Sequence, residues 1–151
     1  MMNTNANYTI EQVYQVDDSL AMDCYYIASE SVGDADGFVY TVPEHVNVLR
    51  QPLLIARRND YVVGFCMMRI NANAGAAHLA ALYVTKGEKR RGLGRQMLTK
   101  MESLARAANV REMSLMSRPG AIGFYEKLGY MRLKPGQIRC AAYSASMYKT
   151  L

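Results

Sequence analysis

The strongest constraint on this chain is the run Lys86-Gly87-Glu88-Lys89-Arg90-Arg91-Gly92-Leu93-Gly94-Arg95-Gln96-Met97. An apolar run from His78 to Val84 leads into it, and an amphipathic run from Gly94 to Ala108 leads out. Strand, basic glycine-rich turn and helix together make an anion site from main chain. The glycines let amide N–H groups point into one concavity, and the helix N-terminus adds partial positive charge. The pattern predicts a phosphorylated ligand. The competing reading is a plain joint between strand and helix, because a bare G-x-G is a weak motif.

Two well-known phosphate motifs do not fit. A P-loop needs G-x-x-x-x-G-K-[ST]. Gly87 and Gly92 have that spacing, but Leu93-Gly94 stand where Lys and Ser/Thr belong. A dinucleotide fingerprint needs G-x-G-x-x-G. Gly92 and Gly94 fit it, but Met97 occupies the third glycine.

A chain of 151 residues suits a single domain spanning 1–151. Half of it, 50%, is hydrophobic, which predicts a packed core rather than disorder. No apolar run approaches the ~20 residues of a membrane span, and Met1 to Thr9 lack the basic-then-apolar order of a signal peptide. Cys24, Cys66 and Cys140 form no C-x-x-C pair and no zinc spacing. They read as reduced thiols of a cytoplasmic protein, with Cys66 and Cys140 in apolar strands. No metal-ligand cluster appears.

Charge is divided along the chain. Residues 1–49 hold no Lys or Arg and eight acidic residues, whereas 50–151 hold all 18 basic residues against five acidic ones. The two parts carry −8 and +13, for a net charge of +5. Such asymmetry suggests ligand-facing halves of opposite sign, set against the plainer reading of ordinary solvated faces.

Tyr8 to Val16 reads as a first strand. Asp17-Asp18-Ser19 can cap a helix from near Leu20 to about Ser31. Gly33 to Gly37 is an acidic loop, and Pro43-Glu44 opens a short helix to about Leu49. Leu53–Arg58 and Tyr61–Ile70 are β-rich and joined by the hairpin signal Asn59-Asp60. Asn71–Gly75 is a turn and Ala77–Thr85 a strand. In the following helix, Met97, Met101, Leu104 and Ala108 form one apolar face, with Lys100, Glu102, Ser103 and Arg106 largely off it. Glu112–Met116 is a strand. Pro119–Leu128 is a helix stopped by Gly129. Tyr130–Leu133 and Ile138–Tyr148 form a closing pair around Lys134-Pro135-Gly136. The order predicts one mixed α/β sheet.

Three blocks together resemble the GNAT superfamily of acyl-CoA-dependent N-acyltransferases. They are Leu82-Tyr83-Val84, five residues before Lys89; Lys89-Arg90-Arg91-Gly92-Leu93-Gly94, set against the family's R/Q-x-x-G-x-G/A; and Ala121-Ile122-Gly123-Phe124-Tyr125-Glu126-Lys127-Leu128-Gly129-Tyr130, set against A-x-x-F-Y-x-x-x-G-F/Y. They cover about residues 78–133. Lys89 departs from the usual Arg or Gln, keeping charge but losing a planar bidentate donor. Arg118 stands where many members have Asn.

The resemblance implies an α/β fold: a GNAT-like mixed, mostly antiparallel central sheet, flanked by helices, with splayed central strands. It implies acetyl-CoA as the acyl-donor substrate. Lys89, Arg90, Arg91, Gly92, Leu93, Gly94 and Arg95 would hold the pyrophosphate. Leu82, Tyr83 and Val84 would pair with the pantetheine amides as though with another strand. Ala121 and Phe124 would complete the donor site. The implied reaction is acetyl transfer to a primary amine of a small molecule, peptide or protein, by direct attack in a ternary complex.

That chemistry needs a neutral amine, a polarised thioester carbonyl and a protonated leaving thiol. An amine with pKa near 10 is almost all ammonium at neutral pH, so a base or water chain must take its proton. His78 lies six residues before Val84, where some members, notably histone acetyltransferases, place a glutamate base. A neutral imidazole suits that task, and ordered water is the alternative. His45 is a weaker candidate. Tyr125 is the candidate acid, because the family motif places its tyrosine near the thioester sulfur and a phenol has one transferable proton. The Val84 amide is a candidate donor to the thioester oxygen.

The acidic segment from Glu30 to Glu44 falls where GNAT folds build the acceptor side, which predicts a cationic amine acceptor. Two other classes stay open: toxin-like acetylation of aminoacyl-tRNA, which the acidic N-terminal third argues against, and a non-catalytic CoA-binding domain. Homodimers are common in folds of this kind, but no stretch identifies an interface.

Overall fold

Asn59 takes a left-handed conformation, φ 54°, and so allows the two-residue turn that joins β2 (Leu53–Arg58) to β3 (Tyr61–Asn71) as antiparallel neighbours. The computed structural model describes residues 8–32, 50–88, 92–133 and 145–151. β1 (Tyr8–Val13) pairs antiparallel outside β2, and β4 (Ala76–Val84) antiparallel outside β3. Helix α2 (Leu93–Ala107) then crosses over to β5 (Glu112–Ser117), which lies parallel to β4. A parallel neighbour needs such a crossover, because a hairpin cannot reverse the chain twice. After the short α3 (Ile122–Lys127), β6 (Met131–Arg132) and β7 (Ala145–Thr150) complete the sheet, which among the described residues has seven strands in the order β1-β2-β3-β4-β5-β7-β6.

Strand alternation divides the core between the two faces. Leu54, Cys66, Met68, Leu79, Met113 and Leu115 face Met97, Leu98, Met101 and Ala105 of α2. Leu53, Ile55, Phe65, Met67 and Ala81 face Leu20, Cys24, Ile27 and Ala28 of α1 (Asp18–Val32). Burial on both faces explains why β2 and β3 read as continuous apolar runs rather than alternating ones. Asp17 Oδ1 accepts a hydrogen bond from the Leu20 amide at 2.8 Å, so the predicted cap is Asp17 and the helix begins at Asp18 rather than Leu20. Gly64 leaves room for the neighbouring layers: a Cβ there would lie 2.8 Å from Tyr83 O and 3.0 Å from Met97 Cε.

Several expected boundaries shift. The first strand ends at Val13, not Val16. The expected helix over Pro119–Leu128 is one 3-10 turn, Pro119–Ala121, followed by α3. Gly129, at φ 96°, ends it as predicted. Of Tyr130–Leu133 only Met131–Arg132 pair as a strand, and the closing strand runs Ala145–Thr150. The acidic loop at 33–37, the short helix at 43–49, His45, the turn at 134–136, Cys140 and Lys89, Arg90 and Arg91 lie outside the described residues. Cys24 and Cys66 are free and buried. Burial pushes the Cys24 thiol up to about 12, with Asp23 adding to the effect.

Glu102 corrects the sequence reading. It is only 5% exposed, although helical periodicity set it off the apolar face. Its carboxylate accepts from Tyr130 Oη at 2.8 Å and from Lys149 Nζ at 3.1 and 3.2 Å. These partners lie 28 and 47 residues further along the chain and were invisible to periodicity. Glu102→Ala would leave Lys149 half-enclosed without its counter-charge. We expect a loss of roughly 3 kcal/mol in unfolding free energy, read by urea titration. A loss below about 0.5 kcal/mol, the level of exposed pairs, would show that the pair adds nothing.

Candidate active site

The β4–β5 ladder runs from Ala76↔Glu112 to Leu79↔Leu115 and stops. Both strands continue. β4 stays paired to β3 through Val84, and β5 stays paired to β7 through Ser117. Two strands that both go on but no longer pair have diverged, so a cleft opens in the middle of the sheet. A β-bulge marks its apex: Met67 opposes Ala81 and Met68 opposes Leu79, leaving Ala80 as the extra residue on β4. A bulge bends its strand and increases local twist, which turns β4 away from β5 at that point. The expected splay is present, and Leu82, Tyr83 and Val84 form its β4 wall.

The first turn of α2 sits at the mouth of this cleft, with Gly94 beside Val84. Gly92 caps α2 at φ 78°, a conformation that glycine adopts freely. Its carbonyl accepts from the Gln96 amide at 3.0 Å. A glycine cap offers no side chain to the first-turn amides, whose N–H groups have no partner within the helix. Gly94 sits against Phe124. A Cβ on Gly94 would lie 3.5 Å from Phe124 Cζ and 3.8 Å from Val84 Cγ2, ordinary contact distances that admit alanine. Leu93 is buried and Arg95 exposed. Val84, Gly94 and Phe124, from three different motifs, therefore meet at one place. Ala121 packs at the same core with Ile122 and Phe124.

Tyr125 is 8% exposed. Its ring meets Phe124 edge-on at 5.0 Å and Tyr130 at 5.8 Å. Burial holds its phenol well above the usual tyrosine value, with smaller contributions from Cys66 and Tyr83. The hydroxyl therefore stays protonated, as a hydrogen-bond donor, throughout the neutral range.

His78 lies on β4 one residue before the last β4–β5 pair. Its neighbours Ala77 and Leu79 face α2, so His78 faces the other side of the sheet. Nδ1 is 3.0 Å from Ser114 Oγ, and Ser114 Oγ is 3.4 Å from the Ala77 carbonyl oxygen. Burial, then the Arg69 charge, hold the imidazole below its usual value of 6.5, so it is neutral at pH 7. His78, beside the last β4–β5 pair, and Tyr125, in the cluster under α2, thus lie on opposite faces of the sheet.

Sequence reasoning missed Ser114 and Glu88, and it assigned Glu30 to the acceptor side, whereas its carboxylate is engaged at the end of β4. Ser114 carries no motif; it matters because β5 pairs beside His78. Glu88 was counted among ordinary charges but is 5% exposed. Glu30 accepts from the Lys86 amide at 2.7 Å and from Thr85 Oγ1 at 3.1 Å, pinning the end of β4 to α1.

A mixed sheet parted between two parallel central strands, with a glycine-capped helix at the opening, defines a class of acyl-CoA-using transferases. The chain belongs to the acetyltransferase (GNAT) family, whose model matches residues 18–130. It is an N-acetyltransferase, with acetyl-CoA as acyl donor and an amine as acceptor. Solved structures share the fold. A Klebsiella pneumoniae protein classed as an acyl-CoA N-acyltransferase superposes with TM-score 0.75 at 20% identity, covering 97% of this chain and 99% of that one. The PaiA N-acetyltransferase of Thermoplasma acidophilum, solved with coenzyme A, gives 0.72 at 17% identity, covering 95% and 99%. The ribosomal-protein-S18-alanine N-acetyltransferase of Escherichia coli gives 0.69 at 18% identity, covering 95% and 93%. No curated protein matches the sequence. Among the described residues, no helix is long and apolar enough to cross a membrane, and no group of His, Cys, Asp and Glu could hold a metal ion.

Proposed function

We propose that the β4–β5 cleft takes the pantetheine arm of acetyl-CoA, that Tyr125 protonates the leaving thiolate and that His78 deprotonates the attacking amine. The observation that carries this reading is the end of the β4–β5 ladder at Leu79↔Leu115. It leaves strand backbone for the two pantetheine amides directly ahead of the glycine-capped helix. Gly92, Gly94 and the first-turn amides of α2 suit a pyrophosphate, and Arg95 adds charge at its side. Lys89, Arg90 and Arg91 precede them in sequence.

Proton flow follows from the side chains. With the Ser114 hydroxyl donating to the Ala77 carbonyl, its oxygen accepts from Nδ1–H of His78, leaving the Nε2 lone pair as the base. The amine binds as its free base, its ammonium proton lost to solvent; the nitrogen attacks the thioester carbon, the proton it then carries passes to Nε2 of His78, and the C–S bond breaks. The thiolate takes its proton from the Tyr125 hydroxyl, the donor on the opposite face. The phenolate that results is strongly disfavoured where it is buried, so it takes a proton back from solvent while the His78 imidazolium releases one, and both groups are reset for the next turnover.

The acceptor is read as a cationic amine, on the −8 charge of residues 1–49, and the setting as cytoplasmic, on the buried free thiols. Asp34, Asp36 and Glu44 lie outside the described residues. Replacing them together (D34N, D36N, E44Q) is expected to raise acceptor KM about tenfold and leave acetyl-CoA KM within about twofold, as loss of a steering charge does. Steady-state kinetics over a panel of amines, polyamines and peptides reads this. An unchanged acceptor KM overturns the cationic assignment.

The site reading itself is tested by calorimetric titration with acetyl-CoA and with CoA lacking its 3′-phosphate. Micromolar binding of acetyl-CoA supports it, and absence of binding to either ligand removes it.

A further inference from the structure

Glu88 presents an electrostatic problem. It is an acidic residue directly before Lys89-Arg90-Arg91, in the turn proposed to hold a pyrophosphate. A carboxylate facing that turn would repel the ligand. Yet in the one-turn 3-10 helix Lys86–Glu88, Lys86 and Gly87 are exposed while Glu88 is buried. Its side chain points back into the fold. Oε1 accepts from Arg58 Nη1 of β2 at 3.0 Å, and Oε2 accepts from the Tyr8 hydroxyl of β1.

A buried carboxylate is retained only where charge and hydrogen bonds offset its desolvation. Here both come from strands remote in sequence, 30 and 80 residues away. The same turn is held at its start, where Glu30 of α1 binds the Lys86 amide and Thr85 hydroxyl. Its backbone closes through the Glu88 amide on Thr85 O at 3.0 Å, and the Thr85 amide binds Val63 O at 2.9 Å. Backbone amides bind an anion well only if their directions are fixed before the ligand arrives.

We infer that Glu88, clamped by Arg58 and Tyr8, is a positioning residue that presets the segment from Thr85 to Glu88, where the chain leads from β4 toward the site for the nucleotide half of CoA. It touches no reacting atom. It turns its negative charge into the fold, away from the phosphates, and fixes residues 85–88 at the end of β4. This rests on the pyrophosphate assignment made above.

The test is calorimetric titration with CoA, with 3′-phospho-ADP and with pantetheine, on wild type, Glu88→Gln, Arg58→Gln and Tyr8→Phe. Wild type is expected to bind CoA and 3′-phospho-ADP. Glu88→Gln should weaken both about tenfold, Arg58→Gln and Tyr8→Phe by smaller factors in the same direction, so that the CoA-to-pantetheine affinity ratio falls. Acceptor KM should stay within about twofold, which general loosening of the fold would not allow. If Glu88→Gln does not fold, Tyr8→Phe decides, because it removes one hydrogen bond to the carboxylate and leaves the Arg58–Glu88 charge pair in place. Melting temperatures that fall while nucleotide affinity holds would reduce the clamp to a structural ion pair and overturn the inference. Wild type that binds neither CoA nor 3′-phospho-ADP would instead overturn the pyrophosphate assignment beneath it.

Discussion

Tyr125→Phe is expected to lower kcat about 10²-fold, the usual scale for a lost general acid, while KM for acetyl-CoA moves less than about twofold. The ring stays, so its packing on Phe124 and Tyr130 and the wall of the cleft should survive. What goes is one transferable proton. The diagnostic is the leaving group. A thiol more acidic than CoA leaves without protonation, so an acetyl aryl thioester should show a much smaller drop. An equal drop for both donors would remove Tyr125 as the acid and leave it a packing role. The sign of the pH effect is also fixed. Burial raises the phenol's pKa, so loss of its proton lies above the ordinary value near 10. Any fall in wild-type activity between pH 8 and 10 must then have another source, and Tyr125→Phe should keep it.

His78→Gln is expected to lower kcat/KM for the amine about 10²-fold and to change the shape of its pH profile. Two protons must be absent for attack: one from the amine, one from His78. The His78 value lies below 6.5 because burial, then Arg69, disfavour the imidazolium. Below that value wild-type log kcat/KM should rise with slope two, and above it with slope one up to the amine's own pKa. In His78→Gln the slope should be one throughout. A mutant that keeps the steeper acid limb would assign the base to ordered water or another group. Stability carries the matching sign. A folded pKa below the unfolded one means that the unfolded chain takes the proton more readily, so wild type loses stability as pH falls through about 6.5. His78→Gln should lose less over that window, and pH-dependent urea titrations compare the two. Ser114→Ala should share the altered profile without loss of acetyl-CoA affinity, because the Ser114 hydroxyl bonds His78 Nδ1 and the Ala77 carbonyl.

Gly92 and Gly94 were legible as a helix-entry turn, because backbone conformation and helix capping are local properties written in a few adjacent residues. The hairpin at Asn59-Asp60 and the apolar stripe of α2 were legible for the same reason, whereas Phe124 and Tyr125 were singled out only through the family resemblance. The three blocks that resemble the GNAT family meet in space at Val84, Gly94 and Phe124, as that resemblance requires. Roles for those residues remain to be earned by the kinetics above.

Charged residues were where local reading failed. Glu88 and Glu102 look like any solvated glutamate on a turn or a helix, yet both are buried. Their partners, Arg58 and Tyr8 for one and Lys149 and Tyr130 for the other, stand tens of residues away. Only the sheet order brings them near. Likewise Ser114 meets His78 because β5 crosses over to lie parallel beside β4.

The sequence by itself determined the local elements, the glycine-capped turn and the family pattern, since each depends on neighbours within a few residues. The tertiary structure alone decided where β4 and β5 part, which face His78 and Tyr125 take, and which carboxylates leave water. Those outcomes depend on pairings between distant segments, whose energies exist only once the sheet is assembled.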